Sequence, residues 1–464
     1  MLSVWLPKPI CPNLRTFVWF MQGSQETLEK RCLHSMFCHN GLINLSLYNI
    51  PSGSCEAPAR YSLGRLGQDI AFLAPRLTSL SLSVDKPAGG GYIQRWEEDI
   101  ESFLLLLQDL VNIRLSPCMI TAGVIAVLSG MPHLRSATSC ILSPDEKKFC
   151  SVSDVGLILT PFATPEFLHQ PIFLCLTSIT LCGRIDQITE LLTQARFPAR
   201  QLERTFLRFI GSTSPVPESR WVSPDLPNSM VFAFFEAFVS FCTSARHALF
   251  AFDRPTELIH GDEELIDAHT LSPLRRAVGL RSLVIRDQRP LSAISEDDLV
   301  HLLQPLVRLR SLWLIPCPDW PDEGNPPISP FTMATVGRIV QALPRLLHLG
   351  LYLDLCYEIQ EWQGATTGPL MTLFVGTSPC PSRISENTLG MYMRPDHFIK
   401  PLQYESWREW GLSNSFYTPT DMVYSVSELW STTKYKETEK DLEGKQLNRV
   451  CVQLDACYEA GESQ

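Results

Sequence analysis

No two cysteines stand in a CxxC spacing anywhere in this 464-residue chain, although it holds 15 of them between Cys11 and Cys457. A secreted disulfide scaffold is shorter, denser in cysteine and usually even in count. Reduced thiols are therefore expected, and with them a cytoplasmic or nuclear location. Long apolar runs are missing too. A membrane span needs about 20 apolar residues, whereas the longest run here, "MVFAFFEAFVSFC" (230–242), stops after 13 and carries Glu236. It reads as a buried helix. The opening "MLSVWLPKPICP", with prolines at 7 and 9, has no signal-peptide core. Charge is sparse, at 19% of residues, and sums to −10 with a pI near 5.5. The chain as a whole is not drawn to nucleic acid or to an anionic membrane, which leaves only local basic patches for such ligands.

Catalytic and cofactor motifs are also lacking. There is no Walker loop, HExxH pair, GxSxG elbow, paired zinc knuckle or EF-hand loop. Three weaker constellations remain. "CLHSMFCH" (32–39) gathers Cys32, His34, Cys38 and His39, a ligand set zinc accepts, but its spacing matches no known finger and "ETLEKRCLHSMF" reads as an amphipathic spacer helix. "HGDEELIDAH" (260–269) has the groups of an acid/base or metal site, against the plainer reading of an acidic helix start. "AGGGY" (88–92) is glycine-rich without the lysine or second GxG of a phosphate cradle. The expectation is a protein that is not an enzyme and carries no metal or other cofactor.

What the chain has is a recurring L-x-x-L-x-L pattern. Copies begin at Leu14, Leu42, Leu77, Leu110, Leu134, Leu176, Leu202, Leu280, Leu309 and Leu346, with a further one at Leu370. The intervals are 28, 35, 33, 24, 42, 26, 78, 29, 37 and 24 residues. The long interval would hold two more units with "ARHALFAF" (245–252) as a worn copy. Between copies lie segments with helical periodicity: 96–110, 185–196, 296–309 and 332–343. Ser295 and Thr332 stand where helix N-caps belong, and Pro-x-Leu turns such as 74–77, 131–134 and 343–347 separate helix from strand. A helix, a turn and a short strand, none able to bury its apolar face alone, stack into a solenoid.

In these copies the chain resembles irregular leucine-rich-repeat proteins, and its spacer lengths resemble those of the F-box-type leucine-rich-repeat proteins of fungi. The resemblance covers about residues 10–375. It implies an α/β horseshoe-like solenoid with parallel strands on the concave face and helices on the convex face. It also implies a protein-recognition role, as the substrate-binding part of a ubiquitin-ligase receptor that engages a cullin-ligase adaptor. The chain departs from that family where "WLPKPICPNL" runs directly into the first copy, so no F-box is visible; the adaptor-binding module is lost or lies upstream. The alternative is a free-standing structural or inhibitory scaffold. The organisation expected is a solenoid over 1–375 and a C-terminal cap with a charged tail over 376–464.

Strand period two sends the residues beside the middle apolar position outward. That row is read as Trp19, Asn44, Ser79, Ser81, Asn112, Arg114, Ser178, Thr180, Arg204, Arg208, Arg286, Trp313, His348 and Tyr352. Its later part is basic and aromatic, the residue types enriched at binding hot spots. Arg114, Arg204, Arg208, Arg286, Trp313, His348 and Tyr352 are therefore the candidate partner-binding residues, suited to an acidic segment of a protein partner and not to nucleic acid or membrane. Trp313 is either an anchor in that face or covered by the insertion 316–327.

Overall fold

The computed structural model describes, apart from isolated positions, residues 11–20, 37–50, 70–84, 100–139, 173–210, 227–253, 266–287, 293–316, 329–353 and 370–374. The glycine-rich 88–92, most of 260–269 and all of 376–464 lie outside them. Two compact units are formed: the first spans Met1–Glu203 with Ser212–Val222, the second Arg204–Gly211 with Ser223–Gln464.

The first unit carries six parallel strands side by side in chain order: β1 (Thr16–Phe20), β2 (Asn44–Ile50), β3 (Ser79–Val84), β4 (Asn112–Leu115), β5 (Ser136–Ser139) and β6 (Ser178–Gly183). Residues 100–105 are helical, followed by α1 (Ala122–Ser129) and α2 (Ile185–Thr193). The second unit repeats the plan with β7 (Arg204–Ile210), β8 (His247–Asp253), β9 (Ser282–Asp287), β10 (Ser311–Pro316), β11 (His348–Leu351) and β12 (Thr372–Phe374). Its helices are α3 (Asn228–Phe241), the short α4 (Ala268–Leu271), α5 (Glu296–Leu303) and α6 (Met333–Ala342). Successive strands that are neighbours and parallel, with helical crossovers, define an α/β leucine-rich-repeat solenoid.

Most strands grow from the same turn. The first leucine of the copy donates its N–H to the carbonyl three residues earlier: Leu42 to His39, Leu77 to Ala74, Leu176 to Phe173, Leu309 to Leu306 and Leu346 to Leu343, at 2.9 to 3.2 Å. Those leucines, and Leu110, Leu134, Leu202, Leu280 and Leu370, are buried. The worn copy is a genuine one: Ala245 makes the same turn to Cys242 at 3.0 Å, and β8 follows it inside the long interval.

Helix starts follow the sequence. Ser295 Oγ accepts the Asp298 N–H at 3.1 Å, capping α5. Thr332 and Thr335 form a reciprocal capping box at α6, satisfying donors that the first turn leaves without partners. The apolar stripes Ile185, Ile188, Leu191 and Leu192 of α2, and Leu299, Leu302 and Leu303 of α5, are buried. The apolar run at 230–242 is α3, as its length and Glu236 require; Glu236 lies at the surface, 2.6 Å from Arg276.

The second unit fills its core differently from the first. Where the copies have leucines, β8 has Ala245 and Ala248, and phenylalanines supply the missing volume. Phe250 lies 4.9 Å from Phe238, 5.3 Å from Phe234 and 5.4 Å from Phe235, while Phe209 lies 4.8 Å from Phe252 and 4.7 Å from Phe234. Most of these pairs meet edge to face, the arrangement ring quadrupoles favour. Phenylalanines from both the strands and the helix fill the space that Ala245 and Ala248 leave.

Candidate functional site

Strand register sorts every outward side chain into rows on the far face of each sheet, the face away from the core leucines. In the first unit one row is Thr16, Asn44, Ser79, Asn112, Ser136 and Ser178; the next is Val18, Ser46, Ser81, Arg114, Thr138 and Thr180. Eight of these twelve are serine or threonine and two are asparagine. Asn44 Nδ2 donates to Thr16 Oγ1 across the strands at 3.0 Å. Ser81 and Thr138 are buried, and the Ser81 hydroxyl has no hydrogen-bond partner. Arg114 sits between them as the row's one charged member.

Trp19 does not belong to this face. Its partner in register is Leu47, which continues to Leu82 and Leu115, so Trp19 takes the last leucine position of its copy and meets Phe17 edge to face at 5.6 Å. Val18, half exposed, is the outward residue. An aromatic in a core slot misled the reading.

The second unit places the other six candidates. Arg204, His247, Ser282, Ser311, His348 and Thr372 form its first row; Phe206, Leu249, Val284, Trp313, Gly350 and Phe374 the second; Arg208, Ala251, Arg286 and Ile315 begin the third. Tyr352, one alternation beyond Gly350, lies past the paired residues and is half-buried. Arg208 and Arg286 share a row with Ala251 between them, about 10 Å apart at the usual strand spacing. Arg204 stands four residues before Arg208 on the same strand and is exposed, while Arg208 and Arg286 are half-buried.

Trp313 is only 3% exposed. Its indole N–H donates to Ser311 Oγ at 2.7 Å, and its ring covers Gly350 on the neighbouring strand so closely that a methyl there would run into Cε3. Glycine is required at 350 because the tryptophan occupies the space a side chain would fill. Trp313 is therefore covered beneath the far face and not an open anchor on it; the insertion 316–327 lies, beyond Pro316, outside the described residues. His348 is also buried, and burial holds its imidazole below the ordinary histidine range.

Sequence reasoning missed the apolar second row of this unit, Phe206, Leu249 and Val284. The signal was present: "ALFAF", "LVI" and "LWLI" are continuous apolar runs, the mark of strands apolar on both faces.

The weaker constellations resolve toward their plain readings where they are described. Cys32 and His34 lie outside the described residues. Cys38 is buried, with its thiol pushed up to about 12 by burial, and His39 Nδ1 accepts the Gly41 N–H at 3.0 Å. Asp267 caps α4, accepting from the Thr270 N–H at 2.7 Å and its hydroxyl at 2.5 Å. Burial pushes the Asp267 carboxyl up, but these bonds and nearby His269 outweigh it and hold it below its usual value. His269 stacks on Phe232 at 4.7 Å. Among the described residues no three His, Cys, Asp or Glu side chains gather as a metal site, and no helix is long and apolar enough to cross a membrane. Cys11, Cys38, Cys175 and Cys242 are free thiols.

No known family model matches the sequence, and no curated protein does. Solved structures with a related course of chain include yeast Rad7 in its complex with Elc1, at 13% identity and a TM-score of 0.36, covering 72% of this chain and 74% of that one. Toll, from the Drosophila Toll–Spatzle complex, is 10% identical with a TM-score of 0.25 over 74% of this chain and 48% of that one. The mouse RP105/MD-1 complex gives 11% identity and a TM-score of 0.20 over 73% and 67%. Likenesses at these scores carry no argument about function.

Proposed function

We propose that the protein is a recognition scaffold that holds an acidic segment of a protein partner on the far face of its second unit. One observation carries this reading: an apolar row, Phe206, Leu249, Val284 and Trp313, runs between a row holding Arg204 and His348 and a row holding Arg208 and Arg286. An apolar strip with guanidiniums on both sides suits a segment whose apolar side chains alternate with carboxylates. Arginine contributes planar, charge-assisted bonds, and the half-buried Phe206 and Leu249 contribute desolvation beside Val284 and Trp313, which are already buried. Trp313 and His348 shape the floor; Tyr352, Arg204, Arg208 and Arg286 form the margin a partner meets. Arg114 offers a separate guanidinium on the hydroxylated face of the first unit.

The experiment is chemical cross-linking with mass spectrometry on the full chain, comparing wild type with Arg204→Glu/Arg286→Glu. Reversal at these two positions is expected to cut partner recovery by about tenfold or more with unchanged thermal unfolding. Unchanged recovery refutes the arginine face.

The finer reading, a substrate receptor of an F-box-type ubiquitin ligase, rests on the resemblance of the repeats alone. Its test is co-purification of the full-length protein with the cullin-ligase adaptor. Absence of the adaptor leaves the free-standing scaffold as the reading.

A further inference from the structure

A second basic surface lies at the edge where the strands of the second unit begin, distinct from the far face. The residue after the first leucine position is arginine in three consecutive copies: Arg246, Arg281 and Arg310. Backbone bonds stack these positions in single file. The Arg246 carbonyl accepts the N–H groups of Arg281 and Ser282 at 2.7 and 3.0 Å, and the Arg281 carbonyl accepts those of Arg310 and Ser311 at 2.7 and 3.1 Å. The Arg310 carbonyl in turn accepts from Leu347 and His348 at 2.8 and 3.0 Å. Their Cα atoms therefore repeat at the strand spacing of about 4.8 Å. The turns just before the strands add Arg308 and Arg345. All five side chains are exposed.

No carboxylate occurs in 242–247, 277–282, 304–311 or 343–348, the segments that build this edge. This is unusual placement in a chain of net charge −10, because like charges on adjacent strands disfavour the sheet they sit on. The same turns expose apolar groups. Val278 is 53% and Val307 50% exposed, and Pro344 is exposed in the next copy. The corresponding positions of the first unit, Arg15, Ile43, Thr78, Val111, Arg135, Thr177 and Glu203, form no such ladder, and the last of them is a carboxylate.

We infer that this edge is a docking surface for an extended acidic peptide of a partner protein, whose carboxylates meet Arg281, Arg310, Arg308 and Arg345 while its apolar side chains rest on Val278, Val307 and Pro344. Charge complementarity identifies the occupant. A single-stranded nucleic acid is matched by aromatic platforms for its bases, and this edge presents valine and proline instead.

The test is fluorescence anisotropy of the full-length protein with a labelled peptide of alternating Glu and Leu. Comparison probes are alternating Lys and Leu, alternating Glu and Gly, and an oligo-dT strand. The Glu–Leu peptide binds, weakens with added salt as exposed charge pairs do, and loses about tenfold or more in affinity in Arg281→Glu/Arg310→Glu. A milder Arg308→Ser/Arg345→Ser variant, which leaves the sheet untouched, loses several-fold. Arg204→Glu/Arg286→Glu retains the component of binding that the edge variants lose and removes only a second, far-face component, which separates this edge from the far-face proposal. The inference is overturned by a peptide that does not bind, by binding the edge variants leave unchanged, or by loss only in the far-face variant. Tighter binding of oligo-dT, or equal binding of the Glu–Gly peptide, likewise contradicts it.

Discussion

Strands β2 and β3 read "NLSLYNI" and "SLSLSV", with leucine toward the core and serine or asparagine away from it. Strands β8, β9 and β10 read "HALFAFD", "SLVIRD" and "SLWLIP", apolar toward both faces. The backbone plan is the same in both units, and so is the turn that starts most strands. What differs is the chemistry of the far face. Small polar side chains, such as the Asn44 amide paired with the Thr16 hydroxyl, make a polar surface with little apolar area to desolvate. Half-buried Phe206 and Leu249 between arginines make one that gains from being covered, while Val284 and Trp313 in the same row are already buried. One repeat architecture thus carries two surfaces of different chemistry.

The sharpest way to break this comparison is in the phenylalanine layer beneath the second face. Phe250→Ala is expected to cost about 3–5 kcal/mol, read by denaturant unfolding. Its three ring neighbours on α3 cannot collapse onto a strand whose other core residues include Ala245 and Ala248. A loss under about 1 kcal/mol would mean that the layer repacks freely. Next in size is Gly350→Ala, at about 1–3 kcal/mol, because the new methyl displaces Trp313. Gly279→Ala is the control: its methyl would sit 3.4 Å from the Ala245 carbonyl oxygen and needs only a slight shift.

A smaller effect is expected from pH. The imidazole of His348 is held below its ordinary value by burial, so the unfolded chain takes up a proton that the folded one resists. Its contribution to stability is complete above the unfolded histidine value near pH 6.5 and is lost as pH falls from there through the folded value. His348→Gln flattens that part of the stability profile; an unchanged profile would refute the assignment. The smallest effect belongs to the first unit. Ser81→Ala removes a buried hydroxyl that has no partner and is expected to change stability by less than about 0.5 kcal/mol.

Much of the fold was legible because the solenoid writes its period into the chain. Each of the eleven leucine-led copies became a strand, the worn copy at 245–252 became a twelfth, and the caps at Ser295 and Thr332 formed. These features are local, set by a turn, a cap or an alternation within a few residues. The far face was legible only in part. Arg204, Arg208 and Arg286 fall on the outward alternation, but Phe206 and Leu249 lie in apolar runs whose two faces alternation alone does not separate. Trp19 was misplaced because an aromatic filled a leucine slot. The burial of Trp313 depends on a glycine 37 positions later in the sequence, brought alongside by the register of β10 and β11. No reading of one copy alone reveals that contact.

The central claim is that the second unit, not the first, presents the partner-binding face. Photo-cross-linking measures this directly, with a benzophenone amino acid placed in the full chain at Tyr352 in one protein and at Thr180 in another. The account predicts a discrete cross-linked protein from Tyr352, diminished by Arg204→Glu/Arg286→Glu, and none from Thr180. A cross-link from Thr180 with none from Tyr352 would contradict it.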